Sequence, residues 1–264
     1  MVTSMKVNYA GTVPLSTLDW TGKSAVTIFF RGCPLRCPYC QNYPYLEGAG
    51  LVELDFLKEQ IKISKPFVSA VVFSGGEPLM QEAIIPLAEF AKILGLAVGV
   101  HTNGCYPERA AELVERKLVD KFFIDVKAPL DDPELYGKVS GWVEYKGASV
   151  AVKRNPEEIA AAVAKTIETA DTSDLELELR TTVIRDFIGN EKEISRIAVW
   201  ISEHVKNKEV TYVLQQGIPE HSLEEKLRKN RVLEREKLLE LGKIAKGFLE
   251  KVRIRTREEG EEII

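Results

Sequence analysis

The chain has 264 residues, 45% hydrophobic and 29% charged, enough for one large α/β core or at most two small ones. Its formal net charge of −4 gives no global basic field to recruit nucleic acid or an anionic membrane. No basic-then-apolar leader opens it and no apolar run approaches the ~18 residues of a membrane span, so a cytoplasmic protein with no nucleic-acid and no membrane partner is expected.

Short β-branched or aromatic runs recur at Val26–Phe30, Ala70–Phe73, Leu96–Val100, Phe122–Val126, Leu175–Val183 and Val210–Leu214. Most are near-continuously apolar, the pattern of parallel strands buried on both faces. Between them, Gly95 is expected to stop a helix over Glu82–Leu94, and Pro107 to open one carrying Ala110, Leu113, Val114 and Leu118. Asn155-Pro156 with Glu158, and Asn190 with Glu193, predict two N-caps with an acidic residue in the first turn. A last amphipathic helix is predicted over roughly Leu223–Leu249. Val252–Arg255 then adds an edge strand whose basic residues (Lys251, Arg253, Arg255, Arg257) form a solvated face.

Strand and helix alternating six times imply a parallel sheet with right-handed crossovers. Six units fall short of a closed eight-fold barrel, so the expected fold class is α/β, a partial open (β/α)6 barrel with a C-terminal helix. Residues 1–25 form an N-terminal strand and lead-in, 26–218 the core, and 219–264 the C-terminal helix and edge strand, all within one domain. In parallel α/β architectures the site lies at the carboxyl ends of the strands.

The first strand runs into Cys33-Pro34-Leu35-Arg36-Cys37-Pro38-Tyr39-Cys40. Three thiols within eight positions are too close for a disulfide framework. They suit a cube of iron and sulfide from which a fourth ligand is missing, so that something else binds one iron. Zinc is the alternative, with Cys105 or a His as fourth ligand; Cys105 follows the third strand and lies at the same sheet end. The second strand ends Ser74-Gly75-Gly76-Glu77-Pro78, where two glycines allow close backbone approach and a carboxylate stands ready to hold a ligand ammonium.

Taken together and in this order, Cys33-x-x-x-Cys37-x-Tyr39-Cys40 and Gly75-Gly76-Glu77-Pro78 resemble the cluster and amino-group motifs of the radical S-adenosylmethionine (SAM) superfamily. The resemblance implies a [4Fe–4S] cluster on Cys33, Cys37 and Cys40. It also implies SAM as a second cofactor, contacted by Tyr39, Gln41, Asn42, Gly75, Gly76 and Glu77. His101-Thr102-Asn103-Gly104 and Asp125-Val126-Lys127 resemble the Asp-Thr-Asn-Gly and Asp-x-Lys segments of glycyl-radical-enzyme activases. This adds Thr102, Asn103, Asp125 and Lys127 as contacts to the SAM carboxylate and ribose. Arg180 matches a family position that reaches SAM, and a charge in an apolar strand needs a partner. That family can hold a monovalent cation between two Asp residues; His101 replaces the first here, which speaks against a cation site, and it reads as a hydrogen-bonded residue at a strand end.

The whole chain resembles the longer form of anaerobic ribonucleoside-triphosphate reductase activating proteins, through the front segment Gly11–Lys23 and the last-strand segment Tyr212–Gln216. The implied partners are a glycyl radical enzyme, namely an anaerobic ribonucleotide reductase, and an electron donor such as ferredoxin or flavodoxin. The lack of a second Cys cluster argues against maturases with auxiliary clusters. The stretch Asp131–Gly147, with Tyr136, Trp142 and Tyr145, is the candidate partner contact. Two alternatives stand beside this reading: a radical SAM enzyme acting on a small molecule or peptide, and a non-catalytic metal-binding or electron-transfer module.

Overall fold

The computed structural model describes residues 5–141, 155–172 and 174–264. In chain order its strands are β1 (Lys6–Ser16), β2 (Ala25–Phe30), β3 (Leu51–Glu53), β4 (Ala70–Gly75), β5 (Ala97–Thr102), β6 (Lys121–Asp125), β7 (Glu176–Val183), β8 (Thr211–Gln216), β9 (Val252–Thr256) and β10 (Gly260–Ile263). Its α-helices are α1 (Leu54–Ser64), α2 (Ile84–Ile93), α3 (Pro107–Glu115), α4 (Pro133–Ser140), α5 (Pro156–Ala170), α6 (Glu191–His204), α7 (Glu225–Arg228) and α8 (Arg235–Lys246). The strands form one ten-stranded sheet in the order β10-β9-β8-β7-β6-β5-β4-β2-β1-β3. From β2 to β9 every pairing across the sheet is parallel; β1, β3 and β10 flank it antiparallel. No strand pairing joins β3 to β10 among the described residues, so the barrel is open at the side.

Period-2 alternation divides each strand between two environments. Val26, Ile28, Phe30, Val71, Phe73, Val98, Val100, Phe122 and Ile124 join the main core with the apolar faces of the helices. Ala25, Ala70, Val72 and Phe123 point the other way and enclose Trp20, which is 1% exposed. Trp20 comes from the lead-in between β1 and β2, and it fills the lower lumen where β5 offers the small residues Ala97 and Gly99. A Cβ on Gly99 would stand 3.0 Å from the indole ring.

The local signals act as their chemistry predicts. Asn155 and Asn190 each close a capping box with the Glu three residues on, Pro107 opens α3, and Gly95 sits at φ +73 just past α2.

Four expectations need correction. The single helix over Leu223–Leu249 is two helices, because the chain between α7 and α8 is held against the barrel mouth. There Asn230 Nδ2 donates to the Arg185 carbonyl (3.0 Å) and Gln216 Nε2 to the Leu233 carbonyl (2.7 Å). β9 is not an edge strand: it pairs with β8 on one side and β10 on the other. The basic face of β9 is not simply solvated. Arg255 reaches Glu178 of β7 at 3.5 Å, and Arg253 and Arg255 both bond Glu261 of β10 at 2.5 Å. Tyr136 is fully buried and no surface contact; its hydroxyl lies 3.4 Å from the Lys127 amide and 3.5 Å from the Asp125 carbonyl. Trp142 and Tyr145 fall outside the described residues.

Candidate active site

The loop after β2 is pinned from several sides. Its Arg36 backbone N–H donates to the Ser140 and Gly141 carbonyls (both 3.1 Å) at the end of α4, where Gly141 takes φ +54. A Cβ on Gly141 would stand 1.9 Å from the Arg36 carbonyl oxygen. The Arg36 guanidinium folds back on the Cys33 and Leu35 carbonyls at 2.8 and 2.9 Å. From the C-terminal segment, the Glu224 N–H donates to the Pro38 carbonyl (2.9 Å).

This loop turns Cys33, Cys37 and Cys40 into one cavity of about 220 Å³ at the carboxyl ends of the strands. Burial, reinforced by the charges of Cys37 and Glu77, pushes the Cys33 thiol well up; burial likewise raises Cys37, and Cys40 to about 12. Thiolates so placed need cationic compensation, which bound iron supplies. Cys105, though buried close by, does not line the cavity. Among the described residues no three His, Cys, Asp or Glu side chains are gathered to hold a single metal ion. Three thiols lining one cavity, with Cys105 outside it, suit a polynuclear iron–sulfur cluster that takes three cysteine ligands.

The Gly-Gly-Glu segment is woven into the cysteine loop. Gly76 N–H donates to the Phe30 carbonyl and Glu77 N–H to the Gly32 carbonyl, both at 2.9 Å. A Cβ on Gly76 would lie 2.0 Å from Gly32 O, so the first demand for glycine here is the neighbouring backbone. Gly75, at φ +107, accepts 2.8 Å from Asn42 Nδ2 through its carbonyl.

Glu77 differs from its expectation. It is 0% exposed and does not line the cavity. Its Oε1 accepts from Leu79 N–H (3.0 Å) and Thr102 Oγ1 (2.7 Å), and its Oε2 from Asn103 N–H (2.8 Å). Three donors of its own chain hold this carboxylate behind the cavity wall. Burial raises its pKa to about 7, and the three donors act in the opposite direction.

The remaining expected residues meet on the cavity wall. Tyr39, Gln41, Asn42, Gly75, Gly76, Thr102, Asn103, Asp125, Lys127 and Arg180 all line it. Lys127 Nζ bonds Asp125 at 2.9 Å; burial works against its charge, but Asp125, Cys37 and Tyr39 together outweigh it and raise its pKa well above the usual value. Arg180 already has a partner: Nε donates to Glu178 at 2.6 Å, and the guanidinium lies over Phe123, 4.3 Å from the ring centre. Burial opposes the Glu178 charge, but Arg180, Lys121 and Arg255 bring its pKa down to about 2. His101 is a hydrogen-bonded strand-end residue, 3.0 Å from the Asp19 carbonyl and 3.4 Å from Ser74 Oγ. Burial, helped by Arg180, lowers its pKa to about 3 and keeps it neutral.

Sequence reasoning did not select Ser74, Thr182 or Asp19. Ser74 and Thr182 line the cavity. Period-2 alternation from Arg180 along β7 was a sufficient signal for Thr182. Asp19 had none, because its role depends on the lead-in folding under the barrel.

A sequence profile of the Radical SAM superfamily matches residues 27–185. A protein named as a candidate glycyl-radical enzyme activating enzyme, from Methanocaldococcus jannaschii, is 34% identical over 261 residues, covering 96% of this chain and 97% of its own. The pyruvate formate-lyase-activating enzyme of Clostridium pasteurianum is 27% identical over 237 residues, covering 84% of this chain and 90% of its own. Among solved structures, a radical SAM methyltransferase from Sphaerobacter thermophilus superposes with a TM-score of 0.63 at 14% identity, covering 89% of this chain and 67% of its own, a likeness of fold.

Proposed function

Because the chain belongs to the radical SAM superfamily, whose enzymes use a [4Fe–4S] cluster and SAM, we propose that it generates a glycyl radical on a separate protein, an anaerobic ribonucleoside-triphosphate reductase. The observation that carries this reading is one cavity joining three cysteines to the polar ends of β4, β5, β6 and β7, in a chain aligned almost end to end with a relative named for glycyl-radical activation. When bound, the cluster and SAM supply reductive cleavage of the sulfonium–C5′ bond, and with it a carbon radical able to take a hydrogen atom.

The chain's own residues bind and orient. Cys33, Cys37 and Cys40 would hold the cluster at this mouth of the barrel. Gly75 and Gly76 bring backbone to the cavity edge, while Tyr39, Gln41, Asn42, Thr102 and Asn103 offer an aromatic face and neutral polar atoms around it. The Lys127–Asp125 pair and Arg180 provide cationic groups already oriented by carboxylates, so little reorganisation accompanies binding of an anionic group. The open side of the barrel suits a substrate that is a loop of another protein. The electron donor in this reading is a ferredoxin or flavodoxin.

The test mixes the reduced, reconstituted protein and SAM with the anaerobic ribonucleotide reductase of the same source. A doublet EPR signal on the reductase, with 5′-deoxyadenosine formed in proportion, supports the reading. 5′-Deoxyadenosine formed only with a small molecule or peptide, and never a glycyl radical, replaces it with direct action on that substrate.

A further inference from the structure

We propose that Glu77 is a positioning residue for the iron–sulfur centre: it fixes Thr102 and Asn103 so that the Asn103 side-chain amide donates to Cys33 Sγ, and this N–H···S bond raises the reduction potential of the cluster. The proposal rests on reading Cys33 as an iron ligand and adds what controls the electron affinity of that centre.

Each link is fixed by a second contact. Thr102 Oγ1 donates to Glu77 at 2.7 Å and accepts from Gly104 N–H at 3.0 Å, which settles the direction of its hydroxyl. The Asn103 backbone N–H donates to the other Glu77 oxygen at 2.8 Å. Asn103 Oδ1 accepts from the Cys105 N–H at 2.9 Å, so the amide cannot be flipped, and its NH₂ is the group that faces Cys33 Sγ at 3.4 Å. All four residues are buried: Cys33 is 8% exposed, Thr102 4%, Asn103 6% and Glu77 0%. At so buried a site a fixed donor is electrostatically stronger than in water.

Reduction adds one electron, and so one negative charge, to the cluster and its thiolates. A donor held on a ligand sulfur stabilises that charge, and hydrogen bonds to sulfur are among the factors that set cluster potentials. Backbone amides also favour the thiolates, Leu35 that of Cys33 and Asn42 that of Cys40, contacts common to any side chain at those positions. The Asn103 amide is a side-chain donor and is open to substitution.

The experiment reconstitutes each variant anaerobically with iron and sulfide, measures iron content, and follows reduction by dithionite with EPR in the absence of SAM. Asn103→Ala and Thr102→Val are expected to bind full iron but to be harder to reduce, by about tenfold in the reduction equilibrium, ~59 mV for one electron. Thr102→Ser retains the hydroxyl and keeps the wild-type potential. Glu77→Gln both loosens Asn103 and removes a negative charge that faces Cys33, two effects of opposite sign on the potential, so the positioning role is read from Thr102→Val, which breaks the Glu77 contact and leaves that charge in place. Unmoved potentials in iron-replete Asn103→Ala and Thr102→Val overturn the proposal. A Thr102→Val protein that keeps the SAM-free potential while Asn103→Ala lowers it overturns the positioning role of Glu77 and leaves only the Asn103 contact. A wild-type chain that takes up no cluster overturns the preceding functional reading along with this one; potentials that stay put in a chain that does take it up overturn this one alone.

Discussion

The two mouths of the barrel use the same strands for opposite purposes. At the carboxyl ends, Ser74, His101, Asp125, Arg180 and Thr182 line an open cavity. Two residues back along the same strands stand Val72, Gly99, Phe123 and Glu178, and there the lumen is closed by Trp20 and by charges that satisfy one another. Glu178 takes Lys121 at 3.0 Å and Arg180 at 2.6 Å. Above, polar groups are held from behind or from the side and keep an unused face toward the cavity. Below, charged groups pair with one another, Lys121 with Glu176 and Glu178, and Arg253 with Glu261. The comparison teaches that the lower layer stabilises the fold and aims Arg180, while chemistry is confined to the upper one.

The largest expected effects should separate the two mouths completely. Cys37→Ala removes an iron ligand from the upper mouth; bound iron after anaerobic reconstitution should fall from about four per chain to near zero, while the unfolding midpoint of the iron-free chain hardly moves. Trp20→Ala empties the lower lumen and should cost about 3–5 kcal/mol in denaturant unfolding, as truncation of a large buried aromatic does. Below its unfolding transition it should still take up iron and SAM. Loss of iron binding by folded Trp20→Ala, or a large loss of stability in iron-free Cys37→Ala, would break the division.

A pair of glycine substitutions sharpens it further. In Gly76→Ala the new methyl meets the Gly32 carbonyl oxygen at 2.0 Å, and backbone has to move beside Cys33. Overpacking of this kind costs about 1–3 kcal/mol or more, and the iron content should fall with it. In Gly99→Ala the methyl meets the Trp20 ring at 3.0 Å, a side chain that can yield by a few tenths of an ångström. That change should cost about 1 kcal/mol or less and leave iron binding intact. Equal iron loss in the two variants would mean that the mouths are mechanically coupled.

What was legible in the sequence was local. The parallel strands from β2 to β8 follow from apolar runs whose length and flanks exclude helices, and both capping boxes from Asn and Glu at the right offset. The cysteines and Gly75-Gly76 were legible because each directly follows or ends a strand and so lies at one sheet end. What escaped depended on partners distant in sequence. Trp20 sits in a polar turn, and its burial requires small residues on β2, β4 and β5. Arg253 and Arg255 alternate as a solvated face would, yet they belong to ion pairs with Glu178 and Glu261. Glu77 has the composition of a ligand-binding carboxylate, and only the folded position of Thr102 and Asn103 shows its oxygens to be occupied.

The smallest effect expected is a pH dependence that distinguishes the mouths by window. His101, in the upper layer, has its pKa lowered from 6.5 to about 3, burial being the main cause. Between those values the unfolded chain binds a proton that the folded chain refuses, so stability falls as pH drops below about 6.5. At pH 5.5 the loss amounts to ~1.4 kcal/mol from this one group. Glu178, in the lower layer, is shifted from 4.5 to about 2, so its contribution stays whole above about pH 4.5 and is lost only as pH falls from there toward 2. From pH 7 to 5.5, then, both titrations lie in the upper mouth, where Glu77, raised to about 7, takes up a proton in the folded chain and opposes the His101 loss, while this lower ion network stays as it is. His101→Gln keeps an amide able to reach Ser74 or the Asp19 carbonyl and removes the titration. The difference in unfolding free energy between wild type and His101→Gln should therefore shift by roughly 1 kcal/mol in favour of the variant between pH 7 and pH 5.5. A difference that stays constant over that interval would mean that His101 accepts its proton in the folded chain, and the neutral, hydrogen-bonded role assigned to it would have to be given up.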